Sequence, residues 1–191
     1  MKTLETIAAR RSIRKFTADP NPDEALQAIL TAATQAPSGK NRQPWRFVVV
    51  KDDRRAEMVQ VMRAGIAEGK AQGRDPGSSE WSVKVMEQAP VTVFVFNPEG
   101  QAPWRTRSVD QMIMDVVDIQ SIGAAIQNML LAAQELGLGS LWICDVFSAY
   151  EAVCTWLEEP GQLIAAVALG YAAESPAARP RRPVSDVMRR R

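Results

Sequence analysis

DIQSIGAAIQNMLLAAQELGLGSLWI, from Asp118 to Ile143, holds a helix, its stop and a strand in one run. Traced back from it, apolar or small residues recur at Val109, Met112, Val116, Ile119, Gly123, Ile126 and Leu130. These alternating three- and four-residue steps predict one helix over roughly Arg107 to Leu136. Ile113 and Val117 widen the stripe, and Gly123, Ala124 and Ala125 form a small-residue patch that a second backbone could approach closely. A helix this long and apolar needs cover on several sides. Its own domain and a partner subunit can both provide that cover, and both are expected. Gly137 and Gly139 stop the helix, and Ser140 to Ile143 reads as a strand.

Outward from this run, Gln162 to Gly170 is continuously apolar, which predicts a strand buried on both faces. Two more strands are expected at Trp45 to Lys51 and at Val91 to Phe96, after Pro90. Thr3 to Arg10 forms a short amphipathic helix with Leu4, Ile7 and Ala8 on one face. Asn21-Pro22-Asp23-Glu24 starts a helix carrying Leu26, Ile29, Leu30 and Ala33, closed by Pro37. Asp52 and Asp53 open another through Met58, Val61 and Met62, and Trp81 to Glu87 is a short helix. Ser148 is expected to cap a helix with Ala152, Val153, Trp156 and Leu157. Gly69 to Ser79 reads as a mobile loop, and Pro98 to Pro103 as a turn. One domain over residues 1–191 is expected, with 175–191, rich in proline, alanine and arginine, as an extended C-terminal arm.

Composition narrows the chemistry. The net charge of +1 favours neither nucleic acid nor an anionic membrane as partner. There is no histidine, and the two cysteines, Cys144 and Cys154, fit neither a zinc site nor a disulfide framework. The N-terminus lacks the apolar core of a secretory signal, and the run Leu163 to Ala173 is too short to span a bilayer. A reducing, cytoplasmic setting is expected. With so few catalytic side chains, an enzyme of this composition needs a bound cofactor.

Basic clusters stand near both ends. Arg10, Arg11, Ser12 and Arg14 offer guanidinium forks and a hydroxyl for a phosphate; a solvated basic turn explains the same residues. Arg179 and Arg181 sit among prolines that stiffen them, or belong to a floppy basic tail that could bind RNA weakly. Between them, Pro37-Ser38-Gly39-Lys40-Asn41-Arg42-Gln43-Pro44-Trp45 combines small residues with the amides of Asn41 and Gln43. It equally reads as an ordinary loop before a strand. Taken singly, none of these decides a function.

In this order, RRSIRKF, APSGKNRQPWRF, the Asp118 to Ile143 run and GYAAESPAARPRRP resemble the nitroreductase family of FMN-dependent oxidoreductases. The likeness covers nearly the whole chain and is weakest from Gly65 to Glu80. It implies an α+β fold: a three-layer α/β/α sandwich around a mixed, mainly antiparallel four-stranded sheet. A strand exchanged from the partner of a homodimer would complete it, with FMN sites at the interface. Arg10, Arg11, Ser12 and Arg14 match positions holding the FMN phosphate and ribityl chain, and Arg179 and Arg181 a later pair closing on the same phosphate. Pro37, Ser38, Gly39 and Asn41 match a loop reaching the flavin from the partner. Lys84 matches a basic residue at the pyrimidine edge. Ile143, Cys144 and Asp145 match backbone near flavin N5, although many relatives carry small residues where Cys144 and Asp145 stand. The resemblance implies a ping-pong hydride cycle, with NAD(P)H as co-substrate and an electron-poor small molecule, such as a nitroaromatic or quinone, as acceptor. Narrower tasks (flavin reduction, enone reduction, dehalogenation, flavin cleavage) and non-catalytic flavin binding are the alternatives.

Overall fold

The structure is a computed structural model and describes residues 2–191. Its helices are α1 (Thr3–Ala9), α2 (Asp23–Thr34), α3 (Arg54–Ala71), α4 (Ser79–Gln88), α5 (Val109–Glu135), α6 (Tyr150–Leu157) and α7 (Val184–Val187). The strands β1 (Arg46–Lys51), β2 (Val91–Asn97), β3 (Gly139–Ile143) and β4 (Gln162–Gly170) form one sheet in the order β1-β2-β4-β3. Every neighbouring pair among them is antiparallel. The parallel component of the expected mixed sheet reduces to an isolated bridge between Ser12 and Ser140.

The central strands β2 and β4 are buried along their whole length, as the unbroken apolar run predicts. Their alternating side chains feed two cores. On one face Phe94, Phe96, Leu163, Ala166 and Ala168 meet Met58 and Met62 of α3, Met86 of α4 and Val153 of α6. On the other, Val93, Val95, Ala165, Val167 and Leu169 meet Ile29 and Ala33 of α2 and Ile122, Ile126 and Met129 of α5. Helices therefore cover both faces, which gives the three-layer sandwich. Each large buried side chain contributes about 1.5–3 kcal/mol of burial free energy.

Several local expectations change. α3 continues to Ala71 and α4 starts at Ser79, so the expected Gly69 to Ser79 loop shrinks to 72–78. Ser148 is not a cap: a 3-10 turn over Asp145–Ala149 leads into α6, and the Ser148 hydroxyl pairs with Ser79 Oγ at 2.5 Å. Within this chain the Gly123 patch meets a side chain, with the Trp142 ring 3.8 Å from where a Cβ would stand. The stop at Gly137 is as expected, since its φ of 77° is the left-handed conformation that ends helices. By length and hydropathy α5 could cross a membrane, but Ile122, Ala125, Ile126, Met129 and Ala133 commit its second half to the core.

Candidate functional site

The two ends of the chain meet at the free edge of β3. The backbone N–H of Ile13 donates to Ser140 O at 3.0 Å, beside the Ser12–Ser140 bridge. Thr17 N donates to Tyr171 O and Ala173 N to Lys15 O, each at 2.9 Å. Glu174 clamps the same corner, its Oε1 accepting from the backbone of Arg14 at 2.5 Å and of Lys15 at 3.2 Å. Segment 12–17 is thus tied to segment 171–174, and the arginines flanking each are drawn together.

Together they line a cleft of about 460 Å³. Arg10, Arg11, Ser12 and Arg14 form one wall, and Arg179 and Arg181, with 176–178, the other. Among the described residues no carboxylate lines it. Burial first, then the charges of Arg181 and Arg11, lower the pKa of Arg10. Arg11 is partly spent locally, its Nη1 capping the end of α1 through Ala8 O (2.7 Å), Ala9 O (3.0 Å) and Arg10 O (2.9 Å). Arg14 lies 5.5 Å over the Trp81 ring. Converging guanidinium forks without an acid fit a phosphate monoester such as the tail of FMN.

The other candidate residues lie elsewhere. The Pro37 to Gln43 loop docks on α5: Gly39 N donates to Ser121 Oγ at 3.3 Å, and Gln43 N to Ser38 Oγ at 3.0 Å. Lys40, Asn41 and Gln43 all have left-handed φ, at 52°, 56° and 52°, a concentration of strain typical of ligand-holding loops. Pro37, Asn41 and Gln43 are exposed. At the end of β3, Ile143 is buried and Cys144 exposed; burial, then the Asp145 charge, pushes the Cys144 thiol up. The Asp145 carboxylate accepts from Ser78 Oγ at 2.8 Å and from Ser82 Oγ, so it pins the start of α4. Lys84 is not brought to the arginine cleft. It lines a separate groove of about 400 Å³ between α3 and α4, with Arg63, Lys70 and Glu80.

The family model described as the nitroreductase family matches residues 7–171. The chain belongs to the nitroreductase family. A Vibrio harveyi NADPH-flavin oxidoreductase is 33% identical over 190 residues, 97% of this chain and 72% of that protein. An iodotyrosine deiodinase of Thermotoga neapolitana is 32% identical over 150 residues, 74% of this chain and 73% of that protein. Among solved structures, one from Desulfovibrio desulfuricans in complex with FMN is 30% identical, with a TM-score of 0.77 over 100% of this chain and 97% of its own.

Within this nitroreductase fold, three residues escaped sequence reasoning. Trp81 and Glu174 gave no local signal, because their roles come from contacts with Arg14 far along the chain. Asp118 did give one: an acid inside an apolar helical stripe is rarely left buried without a partner. Its carboxylate accepts from Arg42 Nε and Nη2, both at 3.2 Å.

Proposed function

We propose that this chain is an FMN-dependent oxidoreductase that takes reducing equivalents from NAD(P)H and passes them to nitroaromatics, quinones or related electron-poor acceptors in turn. Family membership, the NADPH-flavin relative and the FMN-bound neighbour support the cofactor and the reductant. The observation that carries the reading is the cleft in which arginines from both ends of the chain converge without an acid. Arg10, Arg14, Arg179 and Arg181 would hold the phosphate, and Ser12 the adjoining ribityl chain. FMN, when bound, would supply the hydride chemistry that no protein side chain provides. We assign no side chain as proton donor; water fills that role.

The working unit we propose is a cytoplasmic homodimer. The exposed apolar side chains of Val109, Met112, Ile113, Val116 and Ile119 on α5 support an interface there. The 175–191 arm, exposed almost throughout, would extend over the partner, and the Pro37 to Gln43 loop would approach the partner's flavin. Free-flavin reduction is the second reading, favoured by the name of the Vibrio harveyi relative.

The test is the visible spectrum of FMN-reconstituted protein under anaerobic NADPH or NADH. The flavin band should bleach and return when a quinone is added. Arg10→Ala should weaken FMN binding roughly 10- to 100-fold, the loss expected for a charge-assisted hydrogen bond. Bound flavin left unbleached by both nucleotides would make the protein a flavin carrier. FMN affinity untouched by Arg10→Ala would remove the cleft from the cofactor site.

A further inference from the structure

The Pro37 to Gln43 loop is shaped by a patch of α5 spanning about one helical turn. Asp118 is the charged member of that patch, and its side chain is only 3% exposed. A charge so placed demands a partner. Both carboxylate oxygens accept from Arg42, in the paired geometry that gives a guanidinium a fixed direction as well as a fixed distance. The same Nη2 also reaches Glu99 Oε2 at 2.9 Å, so Arg42 is held from two elements. The hydrogen bond and charge of Asp118, ahead of those of Glu99, raise the pKa of Arg42.

Arg42 lies inside the strained stretch, between left-handed Asn41 and left-handed Gln43. Non-glycine residues keep such backbone only where their surroundings over-determine it. Two further holds come from the neighbouring residues of α5. Ser121 Oγ accepts from Gly39 N while donating to Val117 O at 2.8 Å. Gly39 lies so close to Val117 that a Cβ would stand 2.4 Å from Cγ1. The inner side of the loop is therefore fixed to α5, while Pro37, Lys40, Asn41 and Gln43 face outward.

We infer that Asp118 is a positioning residue: through Arg42 it holds the Pro37 to Gln43 loop in the shape that receives the flavin, and so sets FMN affinity and turnover without touching the cofactor. The inference rests on the proposed FMN function. Asp118→Asn keeps the side-chain shape and removes the charge; Arg42→Lys keeps the charge and removes the fork. For Asp118→Asn, FMN titration of the dimer should show affinity reduced about tenfold. At saturating FMN, the visible circular dichroism of the flavin should change and kcat should fall more than KM shifts. Arg42→Lys should move the same signals in the same direction. In the double variant the losses should not add, because the two residues act as one unit.

Arg10→Ala separates the two ideas. If it loosens FMN while Asp118→Asn leaves affinity, dichroism and kcat at wild-type values, the positioning role fails and the function stands. If neither variant affects FMN, the positioning role fails and the arginine cleft is removed from the cofactor site as well. Dissociation of Asp118→Asn into monomers, with no flavin signal changed at saturating FMN, would also overturn the role. If Asp118→Asn does not fold, Arg42→Lys decides by the same readouts, and failure of both to fold would reduce the pair to structural support.

Discussion

The two halves of α5 carry one apolar stripe and end in opposite surroundings. In the second half, Ile122, Ala125, Ile126, Met129 and Ala133 are wholly buried beneath α2 and the sheet. In the first half, Val109 is 66% exposed, and Ile113 and Val116 are each 55% exposed. The residue types and spacing barely change between them. What changes is the cover this chain provides: two layers over one half, and over the other the Pro37 to Gln43 loop, seated on Val117, Asp118 and Ser121, with Arg107 paired to Asp115. Periodicity states that a face must be buried; it does not say by which chain. The stripe is therefore read twice, as a core helix and as a surface awaiting a second copy.

The comparison is broken most severely in the inner half. Ile126→Asp places an unpaired carboxylate where nothing is exposed, and should cost more than about 4 kcal/mol, enough to abolish cooperative unfolding of a domain with ordinary stability. Circular dichroism during a denaturant titration checks this. The same change in the outer half, Val116→Asp, should leave the fold intact and weaken self-association at least ~100-fold, as charge at the centre of an apolar interface does. Sedimentation of the variant against wild type reads it. A folded, fully dimeric Val116→Asp protein would show that the outer half faces solvent by design.

A smaller effect is expected where the loop meets the helix. Gly39→Ala puts a methyl 2.4 Å from Val117 Cγ1, so loop or side chain must yield. The stability cost should be about 1–3 kcal/mol, with FMN affinity falling and the second half of α5 unaffected. Val117→Ala in the Gly39→Ala background opens the space and should restore part of the affinity. Hydrogen exchange along α5 would show whether the change stays in its first half.

These contrasts also mark how far the chain could be read without its structure. β4 was legible to the residue, because nine consecutive buried positions leave a continuous apolar signature. α2, β2 and the Gly137 stop were legible from caps, breakers and period. Arg10, Arg11, Ser12, Arg14, Arg179 and Arg181 could be named as one group, but their meeting depends on non-local hydrogen bonds between 12–17 and 171–174 that no local pattern encodes. The left-handed turn at Lys40, Asn41 and Gln43 was hidden because none of the three is glycine. The bonds of the Asp145 carboxylate to Ser78 and Ser82 were hidden for the same reason as the arginine cleft, since they depend on the packing of α4.

The smallest effect tests whether the halves of α5 are as separate as their burial implies, using groups on the opposite face of the sheet. Burial above all pushes Cys154 up to about 11 and Tyr150 up to about 12, from ordinary values of 9.0 and 10.0. The Tyr150 phenol also accepts the backbone N–H of Leu163 at 3.1 Å, which ties α6 to β4. Between pH 9 and 11 the unfolded chain gives up the Cys154 proton while the folded chain keeps it; between pH 10 and 12 the same holds for Tyr150. Folding is therefore fully supported below the lower value of each window and loses stability as pH rises through it. Cys154→Ala should flatten the fall in stability between pH 9 and 11. Because α6 packs on the face of the sheet away from α5, the flattening should be the same in wild type and in Val116→Asp. A flattening that depends on the Val116 background would mean that the outer half of α5 reports on the core through the sheet, and the two halves would have to be treated as one cooperative element.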